Sequence, residues 1–294
     1  MNTVIKTKVS NGSFHFVNAL IMIVISCITF YPFVYMVMLS LSGGDTFGRL
    51  LIYPIGFTTL SYELMLYRLN FMDGLIVSIA RSTIGPFCTL FVIFMGAYVL
   101  SHRNLIFHKF FSRYVVFAMY FSAGLLPVYL NISQLGLTGT FAVYIIPLLV
   151  SVFGLILIRT FIESLPASLE ESAFIDGANH LQVAFKVVLP LCKPVLAAIL
   201  LFEFVGQWNA YVDTLLYNPH SPQFFTLQYI LSNFLARQLT FSPTDFVTRQ
   251  AMESFSQESL RMAMTVVVCI PVLIVYPFLQ KYFVKGILIG SIKG

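Results

Sequence analysis

The sequence carries little charge. Asp, Glu, Lys and Arg together make up 10% of its 294 residues, whereas a soluble domain carries about 25%. The mean hydropathy is +0.87, and 30 residues are Phe. A chain of this composition has too little polar surface to face water, which excludes a soluble globular domain. We predict an integral membrane protein whose surface mostly faces lipid.

Cysteines are few, and motifs for enzyme chemistry are missing. The four cysteines lie far apart in or beside apolar runs, which excludes a CxxC metal or redox site and provides no disulfide framework. The chain lacks the GxxxxGK[ST] pattern, so it cannot hydrolyse ATP by that route. It also lacks a cluster of metal ligands and a Ser-His-Asp set. We expect no enzyme activity and no metal or cofactor on this chain.

The basic residues are not gathered for nucleic acid. The formal net charge is +5, but no basic stripe with interleaved aromatic residues is present, so we expect no nucleic-acid partner. In a membrane protein, Lys and Arg report orientation instead.

Six apolar runs are long enough, or nearly so, to cross a bilayer as helices, for which about 20 residues are needed. Backbone groups in lipid must bond within the protein, and the alternation of a β-barrel is absent, so we predict helices. The first run exceeds a signal-peptide core of about 7–15 residues, and we expect it to remain as a span. The fold class is all-α, a polytopic membrane protein with six transmembrane helices. The runs are 17–41, 75–100, 114–130, 140–158, 195–216 and 262–279.

The distribution of basic residues predicts the topology. With six spans, the N-terminus, the loop after the second span and the C-terminus share one side, and these segments contain no acidic residue. The positive-inside rule places them in the cytoplasm. We therefore predict a cytoplasmic segment at 1–16, a transmembrane domain at 17–283 and a cytoplasmic tail at 284–294. The basic residues are Lys6, Lys8, Arg103, Lys109, Arg113, Lys281, Lys285 and Lys293.

The predicted cytoplasmic loop between the fourth and fifth spans breaks this pattern, because its acidic residues outnumber its basic ones. Ser168 and Glu171 have the spacing of a capping box, and Gly177 suits the left-handed residue that ends a helix. Asn179 can cap a second helix, and we expect Pro190 to close it. The predicted product is a compact helical knob, apolar on one side and acidic on the other.

This knob has two candidate partners. An amphipathic helix can rest on lipid, but such helices favour Lys and Arg because the inner leaflet is anionic. Repulsion argues against an acidic knob there. A protein partner with a groove and a basic residue fits better.

The knob resembles the EAA loop of bacterial ABC importer permeases. That pattern is Glu-Ala-Ala, three residues, Gly, nine residues, then Ile-x-Leu-Pro. This chain reads ESAFIDG from residue 171 and VVLP from residue 187, at the same spacing. Ser172 for Ala and Val187 for Ile are the departures. The fuller run SLEESAFIDGANHLQVAFKVVLPLCKP resembles the sugar-uptake branch in particular.

The resemblance implies a coupling loop at 162–190. In the family, this loop docks into a cleft of an ATP-hydrolysing subunit and transmits its closure to the membrane helices. Glu171 would pair with a basic residue of that subunit. Ala173 and Gly177 would permit close approach, and Phe174 and Ile175 would fill the cleft. The predicted coupling residues are Glu170, Glu171, Ser172, Ala173, Phe174, Ile175, Asp176, Gly177 and Pro190.

Two further segments carry the resemblance. KYFVKGILIGSIKG, at 281–294, resembles the tail of the maltose-type second permease subunit, which reaches between the two ATPase subunits. The resemblance implies that Lys285, Gly286 and Lys293 make these contacts. The alternative is a basic tail held at the membrane surface.

QWNAYVDTLLY, at 207–217, resembles the Trp-Asn segment of the fifth span in this branch. Aromatic rings suit the C–H faces of sugars, amides suit hydroxyls, and polar groups inside a bilayer usually face a cavity or a partner. The alternative is that Gln207 and Asn209 bond between helices. The candidate pathway residues are Gln207, Trp208, Asn209, Tyr211 and Asp213.

Two ionisable side chains lie at apparent membrane depth. Arg81 is near the predicted outer end of the second span, and we expect it to extend outward to water. Glu203 lies in the fifth span without such a route. We expect it to pair with a polar group of a partner permease.

The resemblance covers almost the whole chain and implies the type I ABC importer permease fold in the inner membrane. It implies ATP-driven, alternating-access import of oligosaccharides or polysaccharides, including alginate-like polymers. The implied partners are a homologous permease, two ATPase subunits that bind ATP and Mg, and an extracytoplasmic solute-binding protein. Two alternatives stay open, namely the same architecture importing an amino acid or polyamine, and an ion-coupled carrier without ATPase partners.

Overall fold

All regular elements that the structure describes are helical. The computed structural model describes residues 12–44, 48–68, 71–236 and 256–290. The all-α prediction is confirmed over these ranges. The α-helices are α1 (Gly12–Ser40), α2 (Leu60–Arg68), α3 (Phe71–Ser101), α4 (His108–Tyr120), α5 (Leu125–Gln134), α6 (Val152–Glu163), α7 (Ser168–Ile175), α8 (His180–Gln182), α9 (Leu189–Leu191), α10 (Lys193–Asn209), α11 (Val212–Tyr217), α12 (Leu227–Ala236) and α13 (Gln257–Gly290). Short 3-10 helices lie at Phe141–Tyr144, Ile146–Leu148 and Pro222–Phe224, and a π-helix lies at Val183–Val188.

Three of the predicted spans are continuous helices. They are α1, α3 and α13, and each contains an uninterrupted stretch long and apolar enough to cross a membrane. Proline does not interrupt them, although Pro32, Pro86 and Pro271 lie inside. Together with three bent helix pairs, they make up to six spans within the described residues.

The other three predicted spans are broken, so their prediction as single helices was wrong. The third is α4 and α5, bent by 113°. Gly124, with φ +83°, precedes α5, and Pro127 lies in its first turn, where a missing N–H is tolerated. The fourth bends by 44° between the 3-10 segments and α6. The fifth helix, α10, ends at Asn209 rather than continuing to residue 216.

The described residues fall into two compact units, one within the ranges 1–65 and 240–266 and the other within 66–239 and 267–294. In the first unit, Ser259 donates a hydrogen bond of 3.1 Å to the carbonyl of Ser42. Most apolar side chains of α1 are exposed, as expected for a helix that faces lipid. The predicted boundaries at residues 16 and 283 stay predictions.

In the second unit, α3 packs against α6 and α10. Gly154 permits close approach, because a Cβ there would lie 2.9 Å from the Ile93 side chain and 3.2 Å from that of Ile199. Small residues are used in this way between membrane helices. The cluster that holds the three helices together also includes buried residues from the segment after α7. Its buried members include Ile93, Phe94, Ala97, Leu155, Ile158, Val183, Ala184, Val188, Leu196 and Ile199.

Candidate functional site

The first helix of the predicted coupling loop is α7. The capping box predicted for Ser168 and Glu171 is wrong, because Ala167 occupies the N-cap and no side chain caps the helix. The predicted helix end is confirmed. Gly177 has φ +84°, its N–H bonds to Phe174 O, and the next N–H bonds to Ala173 O, each at 3.0 Å. This is the Schellman arrangement that favours glycine.

The second helix begins as predicted, at Asn179. Its side chain accepts from the N–H of Gln182, and the Gln182 side chain accepts from the N–H of Asn179, both at 2.9 Å. The helical run continues through the π-helix at Val183–Val188 to residue 191, so Pro190 does not close it. Pro190 lies in the first turn of α9, where its missing N–H is tolerated. The chain bends by 79° between residues 191 and 193.

The predicted coupling residues divide between two faces of the knob. Ala173 and Phe174 pack against the hydrophobic cluster of α3, α6 and α10. Ile175 is 86% exposed. The remaining exposed members are Glu171, Ser172, Asp176, Gly177 and Pro190.

Glu170 differs from its neighbour Glu171, because it is half-buried against its own chain. Its carboxylate lies 3.1 Å from Nε2 of His102, at the end of α3. A cavity of about 500 Å³ adjoins the pair, lined by the end of α3 and by residues of α6 and α7.

A second group of polar residues surrounds Arg81 in the membrane helices. Arg81 is fully buried, so the expected extension to water was wrong. Its guanidinium donates to both carboxylate oxygens of Asp213, at 2.5 and 3.2 Å. It also donates to the Gln207 carbonyl at 2.7 and 3.0 Å, and it lies 4.4 Å from the centre of the Tyr144 ring. Buried charge in a bilayer requires such partners.

Two candidate pathway residues are buried and bond to distant parts of the chain. Gln207 donates to the Tyr144 carbonyl at 3.1 Å while it accepts from Arg81. Trp208 is 2% exposed, and its indole N–H donates to the carbonyl of Val268 at 2.9 Å. The contacts of Gln207 follow the alternative of bonding between helices.

The other three candidates line a cavity at the break between α10 and α11. Ala210 has an extended backbone that ends α10. The cavity is about 500 Å³ and is lined by Asn209, Tyr211 and Asp213, with mostly apolar residues around them. A neighbouring cavity of about 350 Å³ includes Glu203. Among the described residues, Glu203 has no hydrogen-bond or ion-pair partner.

Part of the predicted site lies outside the description. Lys293 is not among the described residues, and nothing is described of Lys285 and Gly286 beyond their place in α13. Their contacts stay predictions. Within the described ranges, no three His, Cys, Asp or Glu side chains are grouped to hold a metal ion.

The helical architecture, the broken spans and the helix-turn-helix knob are those of a transport permease. The chain belongs to the family described as "Binding-protein-dependent transport system inner membrane component", whose profile matches residues 93–289. The predicted family and the type I ABC importer permease fold are thereby confirmed. The protein is a multi-pass subunit of the inner membrane.

Particular relatives cover nearly the whole chain. Protein LplC of Bacillus subtilis is 36% identical over 275 residues, which is 92% of this chain and 91% of that protein. The "Polygalacturonan/rhamnogalacturonan transport system permease protein YtcP" of Bacillus subtilis is 34% identical, over 94% and 96% of the two chains. A chain of a solved bacterial ABC transporter "involved in the import of the acidic polysaccharide alginate" matches with a TM-score of 0.84 and 32% identity, over 96% and 100% of the two chains.

Proposed function

We propose that this chain is a membrane-spanning subunit of an ATP-driven importer of oligosaccharides or polysaccharides. Family membership supports import that depends on a binding protein. The sugar class is supported by the named substrates of the relatives, several of which transport oligosaccharides. The partners would be a second permease, two ATPase subunits that bind ATP and Mg, and an extracytoplasmic solute-binding protein. Both termini would lie in the cytoplasm.

The observation that carries this proposal is the knob with two different faces. The exposed face, with Glu171, Ile175 and Asp176, would dock into the ATPase subunit. The inward face, with Ala173 and Phe174, is packed against the cluster of α3, α6 and α10. Because packed interiors deform little, closure of the ATPase subunits would move these membrane helices together with the knob. That movement would alternate access between the two sides of the membrane.

The pathway would run beside the break between α10 and α11. Tyr211 offers an aromatic face, Asn209 an amide and Asp213 a carboxylate at the wall of the same cavity. Gln207 and Trp208 would act behind this wall, by holding the helix ends in place. The tail residues Lys285, Gly286 and Lys293 are proposed to contact the ATPase subunits.

The test is co-purification of the tagged chain, extracted in mild detergent, with its ATPase subunits. Wild type is compared with Glu171→Lys and with Glu63→Lys, which reverses the charge of an exposed glutamate outside the knob. We expect the ATPase subunit to accompany wild type and Glu63→Lys and to be lost from Glu171→Lys. Retention by Glu171→Lys would contradict docking through this face.

The result for wild type also separates this proposal from the ion-coupled carrier. A wild-type chain that purifies alone or only with itself, together with uptake that survives ATP depletion, would favour the carrier. Discrimination from amino-acid or polyamine import requires uptake assays with the binding protein.

A further inference from the structure

The contact between Glu170 and His102 joins the coupling loop to the end of α3. Glu170 lies in the first turn of α7, and His102 immediately follows α3. Oε2 of Glu170 lies 3.1 Å from Nε2 of His102, and the two side chains are 22% and 31% exposed. The contact is therefore partly protected from water but is still open to proton exchange.

The hydrogen-bond partners of His102 define how many protons the pair holds. Nδ1 lies 2.8 Å from the carbonyl oxygen of Tyr98, which can only accept, so Nδ1 carries a proton. Nε2 faces the carboxylate of Glu170. This contact is a hydrogen bond only when Nε2 is also protonated or when the carboxyl group is. Both arrangements hold one proton more than a neutral imidazole beside an ionised carboxylate.

Other polar groups surround the pair on every neighbouring element. The ring of Tyr98 lies 4.7 Å and that of His180 6.0 Å from the His102 ring, centre to centre. The adjoining cavity is also lined by Arg103 after α3, Glu163 of α6 and Glu171 of α7. Glu163 is paired with Arg159 at 2.8 Å. No carboxylate other than that of Glu170 bonds to His102 among the described residues.

We propose that Glu170 and His102 form a proton-dependent link through which movement of α7 is transmitted to α3. The two are positioning residues for ATP-coupled transport, and this role depends on the function proposed above. The helix that receives the movement, α3, carries Arg81 and packs on α6 and α10. Loss of the shared proton as the pH rises turns a hydrogen bond into a contact between two acceptors. The link then weakens, and α7 is held to α3 only through the apolar packing of Ala173 and Phe174 on the shared cluster.

The consequence for ATP hydrolysis follows from the reciprocity of coupling. With the link intact, closure of the ATPase subunits must also move α3, which restrains hydrolysis in the absence of transported solute. With the link broken, closure of the ATPase subunits requires less free energy, so the rate of hydrolysis without solute rises. We expect a rise of about five-fold, since a partly exposed ion pair contributes little.

The substitutions can separate a link from a merely structural contact. Glu170→Gln retains a donor toward an unprotonated Nε2, so this variant keeps the link without the extra proton. Glu170→Ala and His102→Ala remove the link at every pH. Glu163→Gln is the control, because it removes a carboxylate from the same cavity without touching His102.

The experiment measures solute-free ATP hydrolysis by the purified complex of this chain with its partner subunits, from about pH 6 to about pH 9. We expect the rate of solute-free hydrolysis to rise with pH in wild type and in Glu163→Gln. The rate should stay low at every pH in Glu170→Gln and high at every pH in both Ala variants. The proposal is overturned if all variants share one pH profile, or if Glu170→Gln behaves like Glu170→Ala.

A second measurement tests the link when no ATPase subunit is bound. Amide hydrogen exchange of residues 168–175 is compared between wild type and Glu170→Gln at the same pH. We expect wild type to lose protection relative to the variant as the pH rises. Equal protection at every pH would overturn the link, whereas failure of ATPase co-purification would overturn only the function on which its role depends.

Discussion

The most direct test of the membrane interior is removal of the carboxylate that neutralises Arg81. In Asp213→Ala, the guanidinium loses two charge-assisted hydrogen bonds, of 2.5 and 3.2 Å. Arg81 has 1% of its side chain exposed, so water cannot replace the lost partner without local rearrangement. The substitution therefore leaves a buried charge without its counter-ion.

The magnitude follows from the partners that remain. Breaking a buried ion pair by removing one side costs about 3–5 kcal/mol. Gln207 still accepts two bonds from Arg81, and the Tyr144 ring still lies 4.4 Å from it. Because these contacts remain, we expect the free energy of unfolding to fall by about 3 kcal/mol, the lower end of that range.

A double variant distinguishes an orphaned charge from general damage. Arg81→Met combined with Asp213→Ala removes both charges and fills part of the space with an apolar side chain. Replacing a whole buried pair in this way is often neutral, but Gln207 then loses both donors to its carbonyl. We expect the double variant to be more stable than Asp213→Ala alone, by about 1–2 kcal/mol.

The assay is equilibrium unfolding in mixed micelles, with the denaturing detergent increased in steps and near-ultraviolet circular dichroism as the signal. The control is Asp73→Ala, an acidic residue in the first turn of α3 outside this cluster. A loss of unfolding free energy below about 1 kcal/mol for Asp213→Ala, or a double variant less stable than Asp213→Ala alone, would refute the reasoning.

Three further substitutions test the knob, the helix packing and the proposed second permease. Gly177→Ala forces a Cβ into a left-handed backbone at φ +84°, so we expect the free energy of unfolding to fall by about 1 kcal/mol. Amide hydrogen exchange should become faster only in residues 168–182, and unchanged exchange would contradict this. Gly154→Val places methyl groups where a Cβ already meets the Ile93 side chain at 2.9 Å, and we expect about 1–3 kcal/mol of destabilisation by overpacking. The control is Gly206→Ala, because the space around a Cβ at that position is open. Equal stability of the two variants would be evidence against tight packing. Glu203→Leu is expected to reduce co-purification of a second permease while Glu203→Gln retains it, because an amide still forms hydrogen bonds; equal recovery with both variants would rule out pairing through this side chain.

Local sequence patterns predicted the features that depend on near neighbours. The apolar runs predicted the positions of α1, α3 and α13, since crossing a bilayer requires length and apolarity within one segment. Gly177 and Asn179 predicted a helix end and a helix start, because both are decided by backbone conformation and by hydrogen bonds within a few residues.

Other features required the tertiary structure, because their partners lie far away in the chain. Arg81 bonds to Gln207 and Asp213, 126 and 132 residues later, and nothing in the sequence around position 81 identifies them. The 113° bend after α4 had a visible signal in Gly124 and Pro127, but neither residue specifies a direction. The π-helix at Val183–Val188 had no sequence signal.

The two adjacent glutamates of the knob show this division most clearly. The sequence by itself determined an acidic helix-turn-helix between two membrane spans, with a pattern that identifies its family. The pattern placed its glutamate at Glu171, but it did not predict that Glu170 is half-buried, because both belong to the first turn of the same short helix. Only the tertiary structure decided that the end of α3 lies against Glu170, which leaves Glu171 exposed. Rotation of a helix about its axis is determined by what packs on it. Here Ala173 and Phe174 pack on the hydrophobic cluster, and His102, 68 residues earlier in the chain, contacts Glu170.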